Sequence, residues 1–353
     1  MLRIRVPEFQ KADKLSRVKN ILAYFFGAVF ATFRTGTIDY VLSISQPPIL
    51  GGLLGVWGKW VKHAKFIYNI QDFNPEQAIA VKYIRNKALA SAMMFLDKFS
   101  CKYSNLIITV GRDLVQTIHN RFAEKNIPEA IMINNWIDEK KIYPLDPAHP
   151  KVMDFKRQYS LDSGFVIMYS GNIGFYYDLE NLLKVIETFK PGTRTADGRE
   201  VIFAFVGSGS VLDSLMGYVK NHQMDNVVFI PYQDKADLIY SLNAGDVHWV
   251  VNAKGIKGVS CPSKYYGIAA VAKCCLSVLE KGSEIRCIIE EIQGGLCSDP
   301  GDYISVEQNI RWFIENAGTD KIAEMGKRNR KYLVENLTRD ISVEKYAKAI
   351  LKL

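Results

Sequence analysis

The feature that most restricts what this chain can fold into is the alternation of short, continuously apolar runs with helical patterns along nearly its whole length. Tyr40–Ser45, Lys65–Ile70, Leu106–Val110 and Ala130–Ile133 read as strands, and Leu50–Val61, Ala78–Tyr103 and Arg112–Ala123 read as the helices between them. A second strand series begins at Phe165–Tyr169 and continues through Val201–Val206, Val227–Ile230, Val247–Val251 and Cys274–Val278. Strands that lack polar alternation are buried on both faces, and alternation with helices implies a parallel sheet covered on each side. The helical segments carry the matching period: Leu179, Leu182, Leu183 and Ile186 fall at i, i+3, i+4 and i+7. A length of 353 residues suits two doubly wound α/β domains. Trp136–Lys151, with Pro144, Pro147 and Pro150 and little periodicity, reads as the linker. The expected division is residues 1–150, residues 151–339, and a last helix at 340–353 that follows another helix and is a candidate to pack back on the first domain.

Charge is distributed unevenly. Residues 1–163 hold 23 Lys and Arg against 14 Asp and Glu, whereas the remainder holds 22 against 23. The basic excess of the first half suits an anionic partner. No recognition-helix pattern, stacking-aromatic motif or zinc-finger spacing accompanies it, which argues against nucleic acid and leaves an anionic membrane surface or plain solvation. The segment from about Leu15 to Arg34 has Lys14, Arg17, Lys19 and Arg34 around the run from Ile21 to Phe30, with Trp57, Trp60, Lys59, Lys62 and Lys65 following. Basic residues beside Trp and Phe suit an interfacial helix, while the run itself, apolar nearly all round, equally suits a core helix. It is too short for a comfortable membrane span, and the opening residues do not resemble a signal peptide. The six cysteines show no metal-ligand spacing, which fits buried thiols in a reducing cytoplasm.

In open parallel sheets, ligands bind at the carboxyl ends of strands. Three loops there stand out. Tyr169-Ser170-Gly171-Asn172-Ile173-Gly174 leads from a strand toward a helix near Asp178, a suitable cradle for phosphate or simply a glycine-rich turn. Phe205-Val206-Gly207-Ser208-Gly209 has the same form. Gly258-Val259-Ser260-Cys261-Pro262-Ser263-Lys264 places Pro262 in the first turn of a helix and Lys264 within that turn, where a cation is disfavoured unless it meets an anion.

Taken in order, these loops resemble the C-terminal domain of GT-B glycosyltransferases of family 4, in the bacterial surface-polysaccharide branch of the fucosamine-transferase type. The resemblance is carried by Tyr169–Gly174, Asp178-Leu-Glu-Asn-Leu-Leu183, Phe205–Gly209, Asn226–Pro231, Ala244-Gly-Asp246, Gly258–Lys264 and Gly282-Ser-Glu284. In the first domain Asn69-Ile-Gln-Asp72-Phe-Asn-Pro-Glu-Gln-Ala78 is similar to the branch's Asp-Leu-Trp-Pro-Glu-Ser segment. The resemblance implies two Rossmann-like domains facing across a cleft and transfer of a sugar from a UDP-sugar, without cofactor or metal, to a glycan or polyprenyl-linked acceptor. It implies a cytoplasmic enzyme, peripheral on the inner face of the membrane. Lys264 is then expected to neutralise the departing diphosphate. Gly171, Asn172, Gly174, Gly207, Tyr232, Ser263 and Glu284 are expected around the donor, and Asp72 is expected to act on the acceptor hydroxyl or hold the donor sugar.

The chain departs from the family in two places. The Glu-x7-Glu motif of many members falls here on Val259 and Gly267, which leaves Glu284 as the nearest substitute for a ribose-binding carboxylate, or as a surface residue. The family's opening strand and glycine loop also have no counterpart, because Met1 enters well inside the first domain. The expectation is an incomplete first domain, and with it a second reading of the chain as a non-catalytic relative that binds a sugar nucleotide or a partner protein.

Overall fold

The computed structural model describes residues 3–7, 14–84, 86–123 and 128–353. Met1 and Leu2, and the side chains of Lys14 and Arg17, lie outside the described residues. The chain divides into two compact units. The first comprises residues 1–133, Gly258–Ser260 and Lys345–Leu353, and the second comprises Asn134–Lys257 and Cys261–Glu344. The division expected at residue 150 therefore falls at Ile133, because the proline-rich stretch belongs to the second unit. Ile142 is buried with Ile239 and Leu242. Asn243 holds the backbone on both sides of Pro144, accepting from Leu145 N at 2.9 Å and donating to Tyr143 O at 3.0 Å. Pro150 is not linker either. It opens the helix Pro150–Gln158, where its missing N–H costs nothing, and that helix buries Val152 and Phe155. The division expected before residue 340 falls at Glu344. From Lys345 onward the helix Arg339–Leu351 belongs to the first unit, where Tyr346, Ala349 and Ile350 cover Ile67, Leu106, Ile108 and Ile133.

Among the described residues the first unit holds a parallel sheet of β1 (Tyr40–Ile44), β2 (Lys65–Ile70), β3 (Leu106–Thr109) and β4 (Ala130–Met132), in that order. The second holds β5 (Gly164–Ser170), β6 (Glu200–Val206), β7 (Val227–Ile230), β8 (Val247–Val251), β9 (Cys274–Val278) and β10 (Gly295–Ser298), all parallel, in the order β10-β9-β8-β5-β6-β7. The order reverses between β5 and β8, so the loops leaving these two strands diverge and open a crevice at their carboxyl ends. β8 and β9 are buried throughout, as continuous apolar runs predict. The helix Leu179–Ile186 turns Leu179, Leu182, Leu183 and Ile186 onto the sheet at 0–2% exposure. Burial of each contributes about 1.5–3 kcal/mol.

The sequence reading is corrected at two elements. β10 was not anticipated, since Gly295–Ser298 is short and begins on the second of two glycines. The single helix expected over Ala78–Tyr103 is two, Glu76–Ala80 and Lys87–Tyr103. The second is started afresh by Asn86, whose side chain accepts from Ala88 N and Leu89 N.

The first unit is held by an ion cluster the sequence did not suggest. Arg121 Nη2 meets Glu76 Oε2 at 2.7 Å and Arg121 Nη1 meets Asp97 Oδ2 at 2.5 Å, while the guanidinium lies 4.3 Å from the Phe73 ring centroid. Tyr68 donates to Asp97 at 2.7 Å. These contacts tie three helices to the loop that follows β2. The helix Lys14–Phe33 is not the core helix that its composition permitted. It has no fully buried side chain among the described residues, and Leu15, Val18, Leu22, Phe26, Phe30 and Phe33 form an exposed stripe along it. Among the described residues no helix is long and apolar enough to cross a membrane.

Candidate functional site

The second unit places a cavity of about 240 Å³ at the crevice beside β5. Its walls come from Ser170 and Gly171 at the end of β5, Val206 and Gly207 at the end of β6, Tyr232 after β7, and Ser263, Lys264 and Gly267 beyond β8. Two glycine turns make the floor. Gly171 sits at φ +144° and Gly207 at φ +143°, a region that side-chain-bearing residues rarely enter. Gly171 N donates to Val206 O and Gly207 N to Ile230 O, each at 2.9 Å, so the turns stack one on the other. A Cβ at Gly207 would stand 2.0 Å from Gly171 O, and one at Gly171 would stand 2.6 Å from Lys264 Cε. Both glycines are required by close approach as well as by dihedral angle.

Lys264 is the first residue of the helix Lys264–Ala270, with Ser263 at the N-cap and Pro262 just outside the helix rather than in its first turn. Its Nζ lies 3.5 Å from the Tyr177 ring centroid and 4.9 Å from that of Tyr169. Among the described residues it has no carboxylate within ion-pair distance. The ring faces favour the ammonium, but burial against them outweighs this and pushes its pKa down to about 7. A half-protonated lysine beside two backbone turns has the chemistry to meet an anion. An approaching phosphate supplies the charge the site lacks and restores the proton.

Of the residues expected around a donor, the structure brings together Gly171, Gly207, Tyr232, Ser263 and Lys264. Tyr232 presents an exposed ring there, at 64% exposure. Asn172 and Gly174 lie farther along the loop and do not line the cavity. Asn172 is exposed, and Gly174 is buried against its side chain. Glu284 is corrected on both counts. It is not a surface residue, being 2% exposed, and it does not line the cavity. It opens the helix Glu284–Ile292, where a carboxylate complements the helix dipole, and it accepts from Asn134 Nδ2 at 3.0 Å. Sequence reasoning missed Ile137, Leu238 and Leu242, which supply an aliphatic wall beside Gly267, and Gln233 and Lys235, which extend the polar side past Tyr232.

Asp72 lies in the first unit, in the loop after β2, where it bridges backbone to backbone with Ser260. Ser260 Oγ donates to Asp72 Oδ1 at 2.5 Å and Gln77 Nε2 approaches the same oxygen at 3.4 Å. Burial raises the pKa of Asp72, and the Ser260 bond works against that rise. The tripeptide Gly258–Ser260 is itself pinned within this unit. Gly258 N donates to Asp113 Oδ2 and Thr117 Oγ1 donates to Gly258 O, both at 2.7 Å, and Phe73 N donates to Val259 O at 2.8 Å. Asp72 is thus a positioned carboxylate, not the cap of the following helix, which starts after Pro75 without a side-chain cap.

No protein-family model matches the chain. Among curated proteins it is 26% identical over 351 residues to the probable glycosyltransferase WbjE of Pseudomonas aeruginosa, covering 98% of this chain and 83% of that one. It is 24% identical over 254 residues to WcaI of Escherichia coli strain K12, named as a colanic acid biosynthesis glycosyl transferase, covering 70% of this chain and 60% of that one. Among solved structures it superposes with a TM-score of 0.71 on HepE of Anabaena in complex with UDP and glucose, at 14% identity, over 98% of this chain and 84% of that one. The chain has the GT-B fold. The domain pair expected from the sequence is therefore present as a fold, and the two curated relatives are named as glycosyltransferases.

Proposed function

We propose that this chain is a glycosyltransferase that moves a sugar from a UDP-sugar to a glycan or polyprenyl-linked acceptor in bacterial surface-polysaccharide biosynthesis, within family 4 and its fucosamine-transferase-like branch. The observation that carries this reading is Lys264, a cation without an acidic partner among the described residues, set at two stacked glycine turns in the crevice where strand order reverses. The UDP and glucose bound to HepE, and the polysaccharide named for WcaI, are consistent with it.

In this reading the diphosphate approaches the bare backbone of the Gly171 and Gly207 turns, where no Cβ stands in its way and whose own N–H groups are already bonded to Val206 O and Ile230 O. As the bond between the sugar and the diphosphate breaks, its electron pair leaves with the nucleotide, and Lys264 neutralises the growing charge. Tyr232 offers a ring face to the base. Asp72 is the acceptor-side carboxylate that takes the hydroxyl proton or orients the sugar. The enzyme works at the inner face of the cell membrane, with the basic first unit and the exposed stripe of Lys14–Phe33 directed at anionic lipid. Calorimetry with UDP, followed by assay of sugar release from UDP-sugars, tests the proposal. UDP binding with release supports it, binding without turnover identifies a non-catalytic relative, and absence of UDP binding refutes the donor site.

A further inference from the structure

The second unit holds another, larger cavity, of about 700 Å³, at the opposite end of the strands from the crevice. Lys273 and Cys274 line it where β9 begins, Asp246 just before β8, Phe165 at the start of β5 and Arg199 just before β6. The length of the strands sets it about 15–20 Å from the glycine turns. The helix Asp320–Asn336 closes one side with Ala323, Lys327, Arg330 and Lys331, spaced i, i+4, i+7 and i+8 and so on one face.

Among the described residues that line this cavity, Asp246 is the one carboxylate, set against Arg199, Lys273, Lys327, Arg330 and Lys331. Asp246 is already engaged: Oδ1 meets Arg199 Nη1 at 2.9 Å, and Oδ2 accepts from Val166 N at 2.8 Å. Arg199 also meets Asp197 at 2.8 Å, and Lys327 meets the exposed Glu324 at 2.6 Å. Arg330 donates to Ala270 O at 2.9 Å, a carbonyl without the charge to offset a guanidinium. Among the described residues Lys273, Arg330 and Lys331 therefore have no carboxylate within ion-pair distance. Lys273 is half-buried, and burial lowers its pKa while Asp246 works against the fall.

Like charges gathered around a concave surface raise its potential and draw in an anion. A phosphate dianion would offset two of the three unpaired cations and accept charge-assisted hydrogen bonds from them. Beside the cations the lining is apolar, from Leu145, Phe165, Val271 and Ile322. A cavity of this volume, mostly apolar with a few convergent charged groups, suits a small molecule. We propose that it is a second binding site, for a small phosphomonoester whose phosphate meets Lys273, Arg330 and Lys331 and whose apolar body rests against Leu145 and Ile322. The proposal stands apart from the donor-site reading, since none of the described residues lining this cavity lines the crevice.

The test is calorimetry with phenyl phosphate, inorganic phosphate and phenol, on the wild-type chain and on Lys264→Met, whose donor crevice lacks its cation. Phenyl phosphate is expected to bind one site in Lys264→Met, about fivefold or more tighter than inorganic phosphate because its ring is buried, and phenol is expected not to bind. Adding Lys273→Met, with the fold checked by circular dichroism, should weaken phenyl phosphate by about tenfold or more, the effect of losing a charge-assisted hydrogen bond. Lys331→Glu, at an exposed position where folding is not at stake, should weaken it as much. The single variant Lys273→Met should bind UDP as the wild type does. Phenyl phosphate that binds the wild type and not Lys264→Met belongs to the crevice and overturns the proposal, as does binding that Lys273→Met and Lys331→Glu leave within twofold, or no binding at all. Phenol binding as tightly as phenyl phosphate overturns the phosphate as the group recognised, and inorganic phosphate binding as tightly overturns the apolar body. A protein that binds phenyl phosphate in this way but not UDP refutes the donor site and leaves this one standing.

Discussion

The anion affinity of this chain should depend on pH through Lys264. Its pKa is lowered from 10.5 to about 7 by burial, so the free protein carries the proton on about half its molecules at neutral pH and on about one in ten at pH 8. A diphosphate beside Nζ favours the ammonium, so binding takes up about half a proton at pH 7 and about 0.9 at pH 8. Recovering the proton costs about 0.4 kcal/mol at pH 7, 1.4 at pH 8 and 2.7 at pH 9, so the Kd for UDP should rise nearly tenfold per unit above pH 7.5. Below pH 7 it should level off, until the terminal phosphate itself gains a proton near pH 6. The stability of the free protein runs in the other direction. The folded chain holds this proton less tightly than the unfolded chain, so the lysine destabilises the fold at and below pH 7, and the cost is lost as pH rises toward 10.5. The full shift corresponds to about 5 kcal/mol, and the solvent still reaching this half-buried side chain cuts that to about 1–3 kcal/mol. Calorimetry in two buffers of different ionisation enthalpy measures the proton uptake, and thermal melting of Lys264→Met should show the stability gain alongside a weakened UDP affinity. A Kd for UDP that stays flat from pH 7 to 9 without proton uptake would refute the argument.

Three further outcomes follow from the same geometry. Asp72→Asn should cut transfer by more than about a hundredfold while leaving the Kd for UDP within twofold, measured by steady-state kinetics beside calorimetry, because the carboxylate lies in the first unit. Arg121→Met should cost about 3–5 kcal/mol in denaturant unfolding, since it strands the buried Asp97 carboxylate and releases Glu76, and a loss below about 1 kcal/mol would contradict the cluster's role. The chain should float with anionic vesicles at low salt and be released as salt rises, and Phe26→Ser with Phe30→Ser should weaken flotation without lowering UDP affinity.

The sequence made the strands legible because a sheet covered on both faces leaves no polar positions in them, and β8 and β9 appear at the residues the apolar runs marked. β10 escaped because four residues, the first of them a glycine, carry too little pattern. The split after Ala80 was readable in principle from Asn86, a good N-cap within an otherwise helical run. The site was legible where it depends on local turns, as at Gly171 and Gly207, and not where it depends on meetings distant in sequence. Nothing local to Lys264 says that its ammonium will rest on Tyr177 and Tyr169, nor does anything near Asp72 name Ser260, 188 residues away, as its partner. Glu284 shows the converse failure. A carboxylate chosen for its place in the sequence turned out to serve a helix start and Asn134.

The cover that residues 345–353 lay over Ile67, Leu106, Ile108 and Ile133 has a consequence for synthesis. The strands bearing that apolar surface leave the ribosome first, and the helix that shields it emerges only after residues 134–344 have been made. At about 5–20 residues per second this is a wait of about 10–40 s, during which the nascent first unit shows an open greasy face. A chaperone that recognises exposed aliphatic side chains would find its binding site there, and would lose it when Tyr346 and Ile350 arrive.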